Sequence, residues 1–210
     1  RVDRAFVIGH GYGGRDVPDF HLPFRDSVLL FPCCRGLARS PMPGVSPEPQ
    51  WHVLHDIDKH ERYILNGCVE DLWVSVSALL RLFPQVAGRI GFLGVSFTGG
   101  IGAMMLPWED RIARAHLNVP SFGNQPLRMQ LPTVGSGASV QAFFRKNAAA
   151  ALHTLAYHDA AVAARRIQIP LHFACACFDP FVAPPGQFAV YNAAPGPKQL
   201  YVLEAGHHEY

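Results

Sequence analysis

The stretch GFLGVSFTGG, residues 91–100, holds a serine between glycines at the end of an apolar run. The run itself, RIGFLGVS over 89–96, has the composition of a buried strand, and the residues from Phe97 to Leu106 read as a helix. Ser96 therefore stands at the corner of a Gly-x-Ser-x-x-Gly turn between strand and helix. Small residues at such a corner permit a turn sharp enough to push the hydroxyl out above the sheet, where it can act as a nucleophile. The helix beyond it brings its positive dipole end and the N–H of Phe97 towards an oxyanion formed there. Thr98 stands where the commonest form of this turn has Gly, so a branched side chain crowds the corner and Gly94, Gly99 and Gly100 are left to relieve the backbone. A serine flanked by glycines in a purely structural turn is the competing reading.

On either side of that corner the chain alternates short apolar runs with helical patterns. RAFVIGHG, SVLLFPCC, ARAHLNVP, IPLHFACACF and KQLYVLEAG are further strands, and the first two are continuously apolar, as in parallel sheets covered on both faces. VEDLWVSVSALLRLF places Leu72, Val76, Leu79, Leu80 and Phe83 at helical spacing, and VQAFFRKNAAAALHTLAY reads as another helix. Strand and helix in alternation predict an α/β chain with a mostly parallel, doubly wound sheet. The 210 residues, 49% hydrophobic and 16% charged, are enough for one core, so residues 1–210 are read as a single domain. Two irregular zones, 41–62 and 121–151, are candidates for lid or pocket-forming segments.

Charge excludes some classes of function. Eighteen basic and 16 acidic residues are scattered to a formal net charge of +2, which predicts no nucleic-acid or membrane footprint and favours small-molecule partners. No apolar run approaches the ~20 residues that span a bilayer, and the first residues lack the apolar centre of a secretory signal. A cytoplasmic location is the expectation. The five cysteines lack zinc-knuckle or disulfide-scaffold spacing and read as buried thiols, and the 11 histidines form no His-Glu-x-x-His signature.

A serine nucleophile needs a base and an acid, and in a sheet of this kind they follow in the order Ser, acid, His. Asp179 lies directly after an apolar strand in ACFDPFVAPP, and His207 and His208 lie directly after the last strand in EAGHHEY. A second oxyanion donor comes from a loop after an early strand. GHGYGGRD supplies it, with glycines that let the backbone N–H of Tyr12 approach the substrate beside that of Phe97. A phosphate cradle would need G-x-G-x-x-G or a Lys-Ser/Thr ending, and neither is present.

Together HGYGG, CRGLARS, GVSFTGG, FDPFVAPP, YNAAPGPK and HHEY resemble the acetyl xylan esterase and cephalosporin C deacetylase family, carbohydrate esterase family seven, from the first strand to the last residue. The resemblance implies an α/β-hydrolase fold, here without the family's N-terminal strands and C-terminal segment. It implies Ser96 as nucleophile, Asp179 as acid, Tyr12 and Phe97 as oxyanion donors, and His208, followed by Glu209, as base, with His207 the alternative. Arg35 and Gly36 match an Arg-Gly motif whose Arg braces loops beneath the site. Two departures stand out: Cys34 replaces an Asp that often precedes Arg-Gly, and Phe97 replaces a Gln, which would make the pocket wall apolar. The implied activity is hydrolysis of acetyl and other short-chain esters of sugars or related alcohols through an acyl-enzyme. No metal or organic cofactor is implied, and a homo-oligomer is. Another α/β-hydrolase, dienelactone hydrolase-like or peptidase-like, and an inactive fragment are the alternative readings.

Overall fold

A computed structural model describes residues 2–19 and 21–208. Its strands are β1 (Ala5–Ile8), β2 (Val28–Leu30), β3 (Ile90–Val95), β4 (Ile112–Asn118), β5 (Leu171–Ala176) and β6 (Lys198–Leu203). They form one sheet in the order β2-β1-β3-β4-β5-β6, and every neighbouring pair is parallel. The chain steps outward from β1 to β2, then returns to the other side of β1 and proceeds from β3 to β6. The direction of winding thus reverses between β1 and β3, and in open α/β sheets the carboxyl ends of the two strands at such a reversal flank the binding crevice. Ile8 pairs with Leu93 there, so the loops that begin at Gly9 and at Ser96 leave the sheet side by side.

The helices are α1 (Pro49–His52), α2 (Ile64–Leu82), α3 (Phe97–Met105), α4 (Gln125–Arg128), α5 (Gly135–Lys146), α6 (Ala148–Tyr157), α7 (Ala160–Ala164) and α8 (Pro184–Ala193). α2 buries Ile64, Leu65, Cys68, Leu72, Val76 and Leu79, a stripe at three- and four-residue spacing. Leu80 and Phe83, expected on that stripe, differ: Leu80 is only half-buried and Phe83 is exposed just past the helix end. The helix expected over 140–157 is broken at Asn147, whose backbone leaves helical geometry and whose side-chain amide donates to the Phe143 carbonyl. α8 follows Ala183 with two prolines in its first turn, where a missing N–H costs nothing and a fixed φ favours helix.

The core gathers Phe92, Phe97, Ile101, Phe122 and Phe173 with the α2 stripe around α3. Of the two zones left open by the sequence, 41–62 holds α1 and buries Val45, His52, Val53 and Ile57, and 121–151 holds α4, α5 and the start of α6. Among the described residues no helix is long and apolar enough to cross a membrane. A cavity of about 930 Å³ lies against the sheet, lined by Phe6, Phe24, Leu93, Arg114, His116 and His172 among others, and Ser96, Asp179 and His207 do not border it.

Candidate active site

Ser96 adopts φ 50° and ψ −106°, a conformation that L-residues rarely hold. Strain of this kind is typically about 1–3 kcal/mol and persists only where the surroundings over-determine it. They do so here: the Ser96 N–H donates to the Asn118 carbonyl (2.8 Å), and the Ser96 carbonyl accepts from Gly100 (3.1 Å) and Ser121 (3.0 Å). The side chain gives no cap bond to α3, which leaves the hydroxyl for other partners. Thr98, the residue expected to crowd the corner, is fully buried, and its hydroxyl reaches back to the N–H and carbonyl of Val95. Space for its side chain comes from Gly9, just past β1, where a Cβ would lie 2.3 Å from the Thr98 hydroxyl, and space for its backbone from Gly94, where a Cβ would lie 2.5 Å from the Thr98 carbonyl oxygen.

Phe97 opens α3, so its N–H has no partner within the helix. Among the described residues neither that N–H nor the N–H of Tyr12 is given to a protein acceptor. The Phe97 ring is fully buried, packed on Tyr12 (centroids 4.2 Å apart), His10, His52 and Phe122. This corrects the expectation of an apolar pocket wall: the ring is a core side chain beneath the turn.

Tyr12 is held by a contact the sequence did not reveal. His52 Nε2 lies 2.9 Å from the Arg35 carbonyl and must donate to it, which leaves Nδ1 to accept from the Tyr12 hydroxyl at 3.0 Å. Burial lowers the pKa of His52 and raises that of Tyr12 well above the usual phenol value, so the neutral imidazole and protonated phenol that this bond requires both persist. Deeper still, the Cys34 N–H donates to His10 Nε2 (3.1 Å) and His10 Nδ1 in turn to the Gly11 carbonyl (2.7 Å). Cys34 thus ties the same loop through its backbone.

Arg35 reaches from this loop to α2. Its guanidinium meets Asp71 at 2.8–3.1 Å and Glu70 at 3.3 Å, and its own N–H donates to Asp71 Oδ2 at 2.7 Å. It lies directly over Gly67, where a Cβ would come within 2.3 Å of Nη1. Gly36 has φ 79°, and a Cβ there would press on Val45 and His52 at under 3 Å.

Asp179, just past β5, is almost fully buried and accepts four hydrogen bonds. Oδ1 takes the N–H groups of Phe181 (2.8 Å) and Val182 (2.9 Å), and Oδ2 takes Gln187 Nε2 (3.0 Å) and His207 Nδ1 (2.6 Å). His207 is itself buried. The expected partner of the acid was His208, and here the structure differs: His208 is exposed, its ring edge-on to His207 (4.7 Å) and to Phe181 (5.5 Å). Consecutive residues direct their side chains differently, so only one of the two can face Asp179. Glu209 lies outside the described residues. The generic Gly-His ending, Gly206–His207, was the sequence signal for this histidine, and nothing in the sequence marked Gln187 or His52.

Among the described residues no group of three or more His, Cys, Asp or Glu side chains could hold a metal ion, and all five cysteines are free. A strand–serine–helix corner at the reversal point of a parallel sheet, with an acid after a later strand and a histidine after the last, defines an α/β-hydrolase. The chain belongs to the acetyl xylan esterase family, whose model, acetyl xylan esterase (AXE1), matches residues 35–210, and it is a carboxylic ester hydrolase. Solved structures agree on the fold. An acetyl xylan esterase from Paenibacillus sp. R4 superposes with TM-score 0.90 at 22% identity over 99% of this chain and 70% of that one. Acetyl xylan esterase 1 from a Thermoanaerobacterium species gives 0.78 at 19% identity over the same shares. Acylaminoacyl peptidase from Pyrococcus horikoshii gives 0.70 at 13% identity over 98% of this chain and 33% of its own. A search of curated protein sequences gives no match.

Proposed function

We propose that this esterase removes acetyl and other short acyl groups from sugars or related small alcohols by a Ser96–His207–Asp179 mechanism. The observation that carries the reading is the 2.6 Å bond between His207 Nδ1 and Asp179 Oδ2, both buried. With Nδ1–H committed to the carboxylate, the neutral imidazole presents an unprotonated Nε2, the atom a general base needs. His207 takes the proton of Ser96 as its oxygen attacks the ester carbonyl, and the Tyr12 and Phe97 N–H groups hold the oxyanion. The imidazolium then protonates the departing alcohol. Water, deprotonated by the same nitrogen, attacks the acyl-enzyme and releases the carboxylic acid and free Ser96. The short acyl group and sugar-type alcohol rest on the family, and the assignment of His207 rests on its bond to Asp179.

Hydrolysis of p-nitrophenyl acetate, butyrate and octanoate, with Ser96→Ala as control, tests this. Turnover that falls with acyl length and vanishes in the variant is expected, followed by activity on acetylated sugars. Folded protein without Ser96-dependent turnover of any ester would sink the mechanism, and preference for amides over esters would reassign it to peptide chemistry.

A further inference from the structure

Gln187 stands eight residues beyond Asp179, in the second turn of α8, and is fully buried. Its amide can be oriented in one way only. The oxygen faces a donor, the Ala176 N–H at 2.8 Å, and the nitrogen faces two acceptors, the Val182 carbonyl at 2.7 Å and Asp179 Oδ2 at 3.0 Å. The first contact continues the sheet: β4 pairs with β5 only as far as Ala174, and Gln187 supplies an acceptor to the β5 N–H that follows. The second closes the loop over 179–182. The third falls on the very oxygen that holds His207 Nδ1.

That shared oxygen gives Gln187 a role beyond loop closure. A carboxylate oxygen divides its charge among the donors it accepts, so an amide N–H on Oδ2 weakens the pull of Asp179 on the imidazole proton. It also fixes the carboxylate's rotation together with the two backbone donors on Oδ1. We propose that Gln187 is a positioning residue for the reaction, setting both the orientation of Asp179 and the strength with which it stabilises protonated His207. The proposal rests on the reading that Asp179 and His207 serve Ser96.

Two substitutions separate this from a structural role. Gln187→Met keeps the length and removes every polar contact; Gln187→Glu keeps an oxygen for the Ala176 N–H and, buried against Asp179, holds a proton that makes its O–H a stronger donor to Oδ2 than the amide. Loss of the donor leaves more charge on Oδ2, which favours the imidazolium, so the acid limb of kcat/KM for p-nitrophenyl acetate should move to higher pH. A displacement of about 0.5 to 1 pH unit is expected for Gln187→Met, and one in the opposite direction for Gln187→Glu, whose carboxylic O–H draws more charge from Oδ2. At the plateau kcat should fall about tenfold or more in Gln187→Met with KM within about twofold, because orientation of the acid is used in the transition state and not in ester binding. The His207 Nδ1 proton, read by NMR at low field, should move further downfield in Gln187→Met and upfield in Gln187→Glu. If Gln187→Met does not fold, Gln187→Glu carries the test alone. An unmoved acid limb and an unmoved Nδ1 resonance, with only the melting temperature lowered, would overturn the proposal. The NMR arm needs no turnover, so it decides the role of Gln187 on His207 even if Ser96 proves inactive.

Discussion

In the proposed mechanism the bond from His207 to Asp179 separates the duties of two adjacent histidines. His207→Ala should lower kcat/KM by about 10⁴-fold or more, since no other group at Asp179 can take the serine proton, whereas His208→Ala should leave it within about threefold. Equal losses, or loss in the second variant alone, would move the base to His208. Tyr12 allows a finer test. Tyr12→Phe keeps the ring on Phe97 and the backbone donor but strips the hydroxyl from His52 Nδ1, an acceptor on a fully buried side chain. An orphaned buried acceptor typically costs about 1–3 kcal/mol, visible in denaturant unfolding. The loop that carries the Tyr12 N–H should then hold its geometry less well, so kcat should drop several-fold with little change in KM. A stability loss with unchanged kcat would make His52 a brace for the fold alone.

Among the elements, the turn into α3 was the most legible because strand, turn and helix are each declared by adjacent residues. The strands were legible as apolar runs, but their burial was not: β1 is buried throughout, whereas β2, expected to be buried, is only half-buried and β6 leaves Tyr201 and Val202 exposed. Nor were the breaks. Asn147 interrupts a pattern that reads as one helix, and α8, which opens on Pro184 and Pro185, was not among the expected helices. Gln187 and His52 were illegible because their partners are set by topology, not spacing. A further contact of that kind is Asp159, the N-cap of α7. Its carboxylate accepts from Ala161 (2.8 Å) and Val162 (3.2 Å) in α7 and from Asn124 (3.0 Å) and Gln125 (2.7 Å) at the start of α4. One buried side chain therefore pins both ends of the segment whose Thr133 and Val134 bond the carbonyls of Phe181 and Pro180 beside the acid. Asp159→Ala should destabilise by roughly 2–4 kcal/mol, the loss of a cap plus buried donors left unpaired. Early proteolytic cutting within 121–158 should accompany it, and a loss under 1 kcal/mol would show that packing, not the carboxylate, holds the segment.

At the scale of the whole molecule, the proposed site and the cavity lie apart. The proposed site sits where the sheet's winding reverses, while the cavity of about 930 Å³ opens on the sheet beside two histidines that no step of the proposed mechanism uses. His116 on β4 and His172 on β5 are paired in register, and their Nδ1 atoms lie 2.7 Å apart, so one donates and the other accepts. Burial, and after it the neighbouring His172, holds the pKa of His116 down to about 4 from an ordinary 6.5. Arg114 and Lys198 line the same cavity and add positive charge, not relief. Because the folded value is depressed, the unfolded chain takes up a proton near pH 6.5 that the folded chain refuses until about pH 4. The contribution to stability is therefore complete above pH 6.5 and is lost as the pH falls through that window. The slope has a ceiling of about 1.4 kcal/mol per pH unit and should fall short of it, since the rings are only partly buried. Urea unfolding at pH 7, 6 and 5 should show this slope in the wild-type chain and a shallower one in His116→Phe, where the other buried histidines, His52 and His158 among them, and the carboxylates remain to titrate. Parallel slopes in the two chains would mean that the pair accepts a proton in the folded state as readily as in the unfolded one, shared between the facing Nδ1 atoms.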